Sequence, residues 1–250
     1  MKIVGIIPAR YASTRFPGKP LAMIDGKSMI QRVYEQSCKA NVLSEVWIAT
    51  DDNRIESHIK SFGGKVMLTS PNHKSGTERC NEVIQRLQAD TSSRLFDVAI
   101  NIQGDEPFIQ PEQIEKVASC FLNPEVEIAT LIKKIFDKTE LFNPNVVKVI
   151  TANDKKALYF SRQPIPFLRG MSENDWLTHH TYFKHIGIYA YRTETLRKLT
   201  MLQPSPLEIA ESLEQLRWLE NAYHIYTKQT DFESFSIDTP DDLSKLINNR

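Results

Sequence analysis

Apolar positions along this chain follow two spacings. A short β-branched run at Lys2-Ile3-Val4-Gly5-Ile6-Ile7 predicts a strand of a parallel sheet buried on both faces, and apolar runs at Glu45–Thr50, Lys65–Leu68 and Asp97–Ile102 predict three further strands, the third of these buried. Between them apolar residues recur every three to four positions, which predicts helices. One follows Ser28 with Met29, Ile30, Val33, Tyr34 and Cys38 on a face; one runs from an Asp51 cap to the stop at Gly63-Gly64. Others span about Thr77 to Gln88 and start at Pro111, where proline suits a first helical turn. This alternation predicts an α/β fold: a mostly parallel sheet with helices on both faces, three layers in all.

Past about Glu127 the rhythm changes. Ile128–Ile135, Val146–Ile150, Ala157–Ser161 and Ile186–Tyr191 read as strands with little helix between them. They predict an inserted, more antiparallel mixed-sheet portion over roughly 128–190, within one domain spanning 1–250. Ser205-Pro206 then opens a helix through about Asn221, His224–Lys228 and Ser234–Ile237 read as short strands, and Thr239-Pro240 caps a terminal helix.

Composition narrows the function. Lys+Arg and Asp+Glu are 31 each, so the chain lacks the basic excess of a nucleic-acid binder. At 250 residues it buries about three-quarters of its unfolded surface without staples. The three cysteines, Cys38, Cys80 and Cys120, are widely spaced in helix-like stretches and read as buried reduced thiols. No apolar run reaches the length of a membrane span, and the start is too short for a signal-peptide core, so the expectation is a soluble cytoplasmic protein without membrane insertion.

Candidate chemistry gathers where a parallel sheet places it, in loops after strands. The first loop, Pro8 to Pro20, carries Arg10, Ser13, Thr14, Arg15 and Lys19, cations and hydroxyls suited to a polyphosphate; the alternative is a solvated basic turn. It is not a Walker A loop, because Gly18-Lys19 is followed by Pro20 and no glycine stands five before Gly18. The second cluster is Gln103-Gly104-Asp105-Glu106-Pro107, in which Asp105 is an oxygen donor suited to Mg²⁺ beside phosphates. Asp238 would supply a second ligand if it met Asp105. More dispersed are His73 to Arg79, Arg162 (a planar fork for a carboxylate), His185, and Glu214-Gln215. Each of these residues taken singly also has a structural reading. His179-His180 lacks companions at metal spacing, and no Gly-x-Ser-x-Gly elbow is present.

In combination, Pro8-Ala9-Arg10-Tyr11-Ala12-Ser13-Thr14-Arg15-Phe16-Pro17-Gly18-Lys19-Pro20, His73–Arg79, Gln103–Pro107, Asn143–Val149, Ala157–Arg162, His185–Arg192, Gln203–Glu208, Leu213–Arg217 and Asp238-Thr239-Pro240 resemble, in collinear order, the sugar-acid cytidylyltransferases. The resemblance covers nearly the whole chain. It implies a Rossmann-like nucleotidyltransferase sheet with a smaller mixed-sheet portion used in homodimerisation. It also implies transfer of CMP from CTP to the anomeric hydroxyl of a sugar acid, with 3-deoxy-D-manno-octulosonate (Kdo) the nearest substrate and 8-amino-Kdo or sialic acid the alternatives. Residue by residue it implies that Arg10, Ser13, Arg15 and Lys19 hold the triphosphate and that Ser75, Gly76 and Arg79 surround the cytidine. Asp105 and Asp238 would bind Mg²⁺, and Lys19, Arg15, Asp105 and Asp238 form the catalytic set. Gln103, Arg162, His185, Tyr189, Glu214 and Gln215 would face the sugar acid. Ala190 stands where the family commonly has glycine, and 170–180 matches nothing in the pattern. Remoter readings are a glycosyltransferase, which would carry an Asp-x-Asp motif where Asp105 is followed by Glu106-Pro107, and a nucleotide-binding regulator without catalysis.

Overall fold

The computed structural model describes residues 1–12, 16–89, 96–233, 236–237 and 239–248. Numbered in chain order, β1 (Ile3–Ala9) lies parallel between β4 (Glu45–Thr50) and β6 (Val98–Asn101), and β5 (Val66–Leu68) extends the parallel set beyond β4. A small ribbon of β2 (Met23–Ile24) and β3 (Lys27–Ser28) stands apart. On the far side of β6, the antiparallel β10 (Phe183–Arg192) precedes β7 (Ile128–Lys134), and β11 (Ile225–Gln229) ends the sheet parallel to β7. The hairpin of β8 (Lys148–Thr151) and β9 (Ala157–Ser161) hangs from the start of β10.

The antiparallel pairing expected over 128–190 therefore lies in the main sheet rather than in a layer of its own. The reason is burial: Ile128, Ala129 and Leu131 of β7 and Ile186, Ile188 and Ala190 of β10 are covered on both faces, as sheet-interior strands must be.

Helices cover both faces. α1 (Met29–Ser37), α2 (Asn53–Ser61) and α4 (Pro111–Ala118) cover one face and share its apolar core with Ile3, Ile7 and Ala9 of β1. α3 (Gly76–Ala89), α7 (Thr193–Leu199) and α9 (Glu214–Glu220) cover the other face and share its core with Val4 and Ile6, α3 lying directly on β1. Each valine or isoleucine side chain taken fully from water here stabilises the fold by about 1.5–3 kcal/mol. Ser28 caps α1, accepting from the Gln31 N–H at 3.2 Å. α2 is capped by Asp52 rather than Asp51; Asp52 accepts from the Arg54 N–H at 2.9 Å, while Asp51 turns to Arg79 at 3.5 Å.

The helix expected over Leu207–Asn221 is two, α8 (Pro206–Glu211) and α9, broken at Ser212 (φ 52°). Period alone hid the break, because Ile209, Leu213 and Leu216 share helical spacing while Ile209 is 68% exposed and Leu213 only 7%. A bidentate Arg217–Glu208 pair, both contacts 2.6 Å, staples the two helices across the corner. Of the strand expected over Ser234–Ile237, 234 and 235 lie outside the described residues, and Ser236-Ile237 form no ladder. α5 (Lys138–Phe142) and α6 (Trp176–His179) share a small core of Ile135, Leu141, Trp176 and Tyr182, in which Trp176 stacks on Tyr182 and anchors the 170–180 loop. α10 (Pro240–Asn248) follows a Thr239 cap that accepts from the Asp242 N–H at 3.2 Å. Cys80 is buried in α3 and Cys120 partly so, but Cys38 is exposed, because it falls just past the end of α1 where the apolar face has run out.

Candidate active site

The carboxyl ends of β1 and β6 and the N-terminus of α3 meet around a cleft of about 300 Å³, lined by Arg10, Lys19, Lys74, Gly76, Arg79 and Asp105 among others. Two glycines shape it. At Gly104 a Cβ would stand 2.7 Å from the Pro8 carbonyl oxygen, so only glycine lets the loop after β6 lie against the end of β1. Gly18 (φ 71°) turns the chain into the short 3-10 segment Lys19–Leu21, and its N–H donates to the Tyr11 carbonyl at 2.9 Å. The Arg54 guanidinium caps the Tyr11 ring at 3.3 Å, bracing that turn from outside.

Lys19, largely shielded from solvent, donates to Asp105 Oδ2 at 2.7 Å. Arg10 donates from Nη2 to the His73 carbonyl, fixing the first loop to the segment before α3. Ser75 Oγ accepts from the Glu78 N–H at 3.2 Å as a helix cap does. Gly76 begins α3, its Cβ position in contact with Pro8 and Asn101 at 3.4 Å. Arg79 is fully buried; Nη1 donates to Thr69 Oγ1 at 2.5 Å and lies 3.5 Å from Asp51, while Nη2 has no partner among the described residues. Burial pushes the Arg79 pKa down from the arginine value, with Asp51 opposing the shift. An arginine with an unmatched buried N–H group at a cleft wall is poised for an anionic or carbonyl oxygen of a ligand.

A second group runs along β10 and α9. Gln103 Nε2 donates to the Gly187 carbonyl at 2.9 Å, tying the loop after β6 to β10. His185 packs between Phe160 and Tyr189, with ring centroids at 5.3 and 5.1 Å, and its Nε2 lies 2.9 Å from Thr130 Oγ1. Desolvation holds its pKa down to about 3, so it is a neutral imidazole at working pH. Tyr189 stacks on Tyr191 and meets Trp218 edge-on; burial raises its phenol pKa well above the usual value, and its hydroxyl is unpartnered among the described residues. Glu214 accepts from Thr77 Oγ1 at 2.8 Å, joining α9 to the start of α3, and desolvation raises its pKa. Gln215 beside it is buried.

Arg162 is the residue whose placement departs most from a freely presented fork. Its Nε donates to the Glu211 carbonyl at 2.7 Å, Nη1 to the Pro144 carbonyl at 3.0 Å and Nη2 to the Ser212 carbonyl at 3.4 Å. Three of the five N–H groups of the guanidinium are thus engaged with the backbone, which leaves one on each terminal nitrogen without a partner among the described residues.

Arg10, Lys19, Gly76, Arg79 and Asp105 therefore share one cleft, with Ser75 at its α3 edge and Gln103 in its wall. His185 and Tyr189 are in ring contact on β10, but His185 opens onto a separate cavity with Glu140, Lys184 and Glu233, and Glu214 onto another beside Lys74 and Ser75. Ser13, Arg15 and Asp238 lie outside the described residues. Sequence reasoning passed over Asn101, buried at the end of β6 with an unpartnered Oδ1 beside Gly76, and Asp51, which faces Arg79. A polar residue closing an apolar strand was the available signal for Asn101. Among the described residues no helix is long and apolar enough to cross a membrane.

Comparison with known proteins matches residues 4–244 to the family model described as cytidylyltransferase. A 3-deoxy-manno-octulosonate cytidylyltransferase of Cytophaga hutchinsonii is 57% identical over 247 residues, covering 98% of this chain and 96% of that protein. The protein of the same name from Bacteroides thetaiotaomicron is also 57% identical over 247 residues, covering 97% and 96%. Among solved structures, CMP:2-keto-3-deoxy-manno-octonic acid synthetase complexed with CTP superposes with a TM-score of 0.90 at 41% identity, covering 100% of this chain and 98% of that one.

Proposed function

The chain belongs to the cytidylyltransferase family, and from that premise we propose that it transfers CMP from CTP to the anomeric hydroxyl of Kdo, releasing pyrophosphate and forming CMP-Kdo. The observation that carries this reading is the cleft lined by Arg10, Lys19, Arg79 and Asp105, with Lys19 paired to the Asp105 carboxylate at 2.7 Å, in a chain 41% identical to a synthetase complexed with CTP.

The reaction is an in-line displacement at the α-phosphorus, which leaves the protein chiefly positioning and charge neutralisation. Arg10 and Lys19, together with Ser13 and Arg15 of the same loop, hold the triphosphate, and Lys19 offsets charge developing on the leaving pyrophosphate. Gly76 at the start of α3 admits the nucleoside close to the backbone, with Ser75 and the unmatched Nη2 of Arg79 beside it. Gln103, Arg162, His185, Tyr189, Glu214 and Gln215 receive the sugar acid. Of these, neutral His185 and the Tyr189 hydroxyl offer hydrogen bonds to its hydroxyls, and Arg162 the cationic fork for its carboxylate.

A Mg²⁺ ion fits the donors present. The Asp105 carboxylate is a hard oxygen ligand at the cleft, and its main-chain carbonyl accepts from the Ile237 N–H at 3.0 Å. Asp105 and Asp238 with phosphate oxygens would hold the ion. When bound it would withdraw charge from the α-phosphate and favour ionisation of the attacking hydroxyl.

The reading extends to a homodimer in the cytoplasm that supplies CMP-Kdo to lipopolysaccharide assembly. Exposed apolar side chains on and beside the mixed-sheet portion, Phe136 at 74%, Leu158 at 58% and Phe167 at 72%, favour a partner there. The test is release of pyrophosphate from CTP against a panel of Kdo, 8-amino-Kdo and sialic acid, with and without Mg²⁺. Turnover with Kdo, abolished by EDTA, is the expected outcome, and a preference for another acid, or none, overturns the assignment.

A further inference from the structure

Lys148 is 0% exposed, on β8, yet it carries no ion-pair partner among the described residues. Its ammonium donates instead to three main-chain carbonyls, those of Asn143 at 2.9 Å, Val146 at 2.6 Å and Arg162. Three donors meet three acceptors, so the cation is fully matched in a place where an unmatched one would cost several kcal/mol. The other end of residue 162 is gripped in the opposite sense: its N–H donates to Glu211 Oε2 at 2.9 Å, and the same carboxylate accepts from Ser161 Oγ at 2.7 Å. The main chain of one residue, Arg162, thus rests its N–H on a carboxylate and its C=O on an ammonium. The Arg162 side chain in turn bonds to the main chain of the two segments those charges hold, the 143–147 loop through Pro144 and the α8 end through Glu211 and Ser212.

We propose that Lys148 and Glu211 are a pair of positioning residues that aim Arg162 at the carboxylate of the sugar acid. The proposal rests on the reading of Arg162 as a sugar-acid contact and adds to it the parts that hold Arg162 in place. A buried lysine chosen only for stability is poorly explained, since an apolar residue of the same volume avoids its desolvation. That desolvation draws the Lys148 pKa down to about 8, with Glu211 opposing and Arg162 reinforcing the shift. Across the ladder Lys184, register partner of Lys148, is neutralised by Glu140 and Glu233, and among the described residues Glu211 is the anion that acts on Lys148. What the buried charge adds is direction: three carbonyls from three points of the chain converge on one point.

The experiment is a double-mutant cycle read in KM for each substrate separately. Lys148→Met and Glu211→Gln are expected to raise KM for Kdo about tenfold or more and threefold or more, respectively, with the dissociation constant for CTP within twofold of the parent. In an Arg162→Ala background each is expected to change KM for Kdo by less than twofold, because the residue they aim is gone. A merely structural role moves both substrates and adds fully in the Arg162→Ala background, and either result overturns the proposal. If Lys148→Met does not fold, judged by its melting curve, the Glu211→Gln arm decides alone. The parent enzyme is assayed first: no pyrophosphate from CTP and Kdo overturns the functional reading and this proposal together, whereas normal parental turnover with an additive cycle overturns this proposal only.

Discussion

Gly104→Ala tests the geometry of the cleft most directly. A Cβ at 104 stands 2.7 Å from the Pro8 carbonyl oxygen, where ordinary contact begins at 3.4 Å, so the loop after β6 and the end of β1 must part by about 0.7 Å. Both are backbone, and neither swings aside as a side-chain tip does. Overpacking of this kind costs about 1–3 kcal/mol, which for a chain of this size lowers Tm by roughly 2–12 °C. The kinetic loss is the larger effect. Pro8 leads into Arg10 and Gly104 precedes Asp105, so the shift falls between the groups proposed to hold the triphosphate and the metal, and misplacement approaching 1 Å costs up to about 10²-fold in rate. Gly187→Ala is the control, because its Cβ meets Gln103 at 3.6 Å and Glu106 at 3.8 Å, ordinary distances, and stability should stay within about 1 kcal/mol. Thermal melts and pyrophosphate-release kinetics on both variants decide. A Gly104→Ala enzyme with parental Tm and kcat would refute the close-approach argument.

Asp105→Ala is expected to lower kcat by a factor on the order of 10² or more while the melting curve stays cooperative; near-parental turnover would sink its place in the catalytic set. His185 predicts an acid limb in stability. Its native pKa of about 3 lies below the ordinary 6.5, so between those values the unfolded chain binds a proton that the native chain does not. Stability is therefore whole above pH 6.5 and declines as pH falls toward 3, by an amount on the order of a few kcal/mol. Denaturant midpoints across that range should show His185→Gln with a shallower slope than the parent, and equal slopes would contradict the burial argument. Native thiol labelling should modify Cys38 within minutes and leave Cys80 untouched until unfolding, because Cys80 is fully buried with its thiol pKa raised by desolvation; early loss of Cys80 in a peptide map would count against the packing of α3.

The parallel half of the molecule was legible because its signals are local. β4 begins and ends at the residues expected from its apolar run, and Ser28 caps the helix expected of it. The cleft was legible for a related reason: in a parallel sheet each loop after a strand faces the same edge, so Arg10, Lys19 and Asp105 needed no long-range information to be grouped. What escaped was whatever depends on partners distant in sequence. Nothing near Ile128–Lys134 reveals that this strand pairs with residues 183–191, and so an insertion was expected where the sheet simply continues. The α8–α9 break turns on which of two equally spaced apolar residues finds a surface to cover, and spacing cannot say.

Arg162 shows the same division within the site. Its type and its place after a strand suggested a carboxylate fork, and a planar cation there remains the right chemistry for one. Its neighbourhood could not be read, because the groups that hold it sit at 143–148 and 211–212, on either side in sequence, and most of them are main-chain carbonyls with no residue identity. Carbonyl-lined seats are invisible to pattern reasoning, since any residue supplies the acceptor. The one visible trace is the cation they surround. A lysine inside an otherwise apolar strand, as Lys148 is between Val147 and Val149, has to find either an anion or several carbonyls, and where it finds carbonyls it marks a point at which separate segments of chain are made to converge. Read that way, Lys148 was a clue in the sequence to where the loops around Arg162 come together.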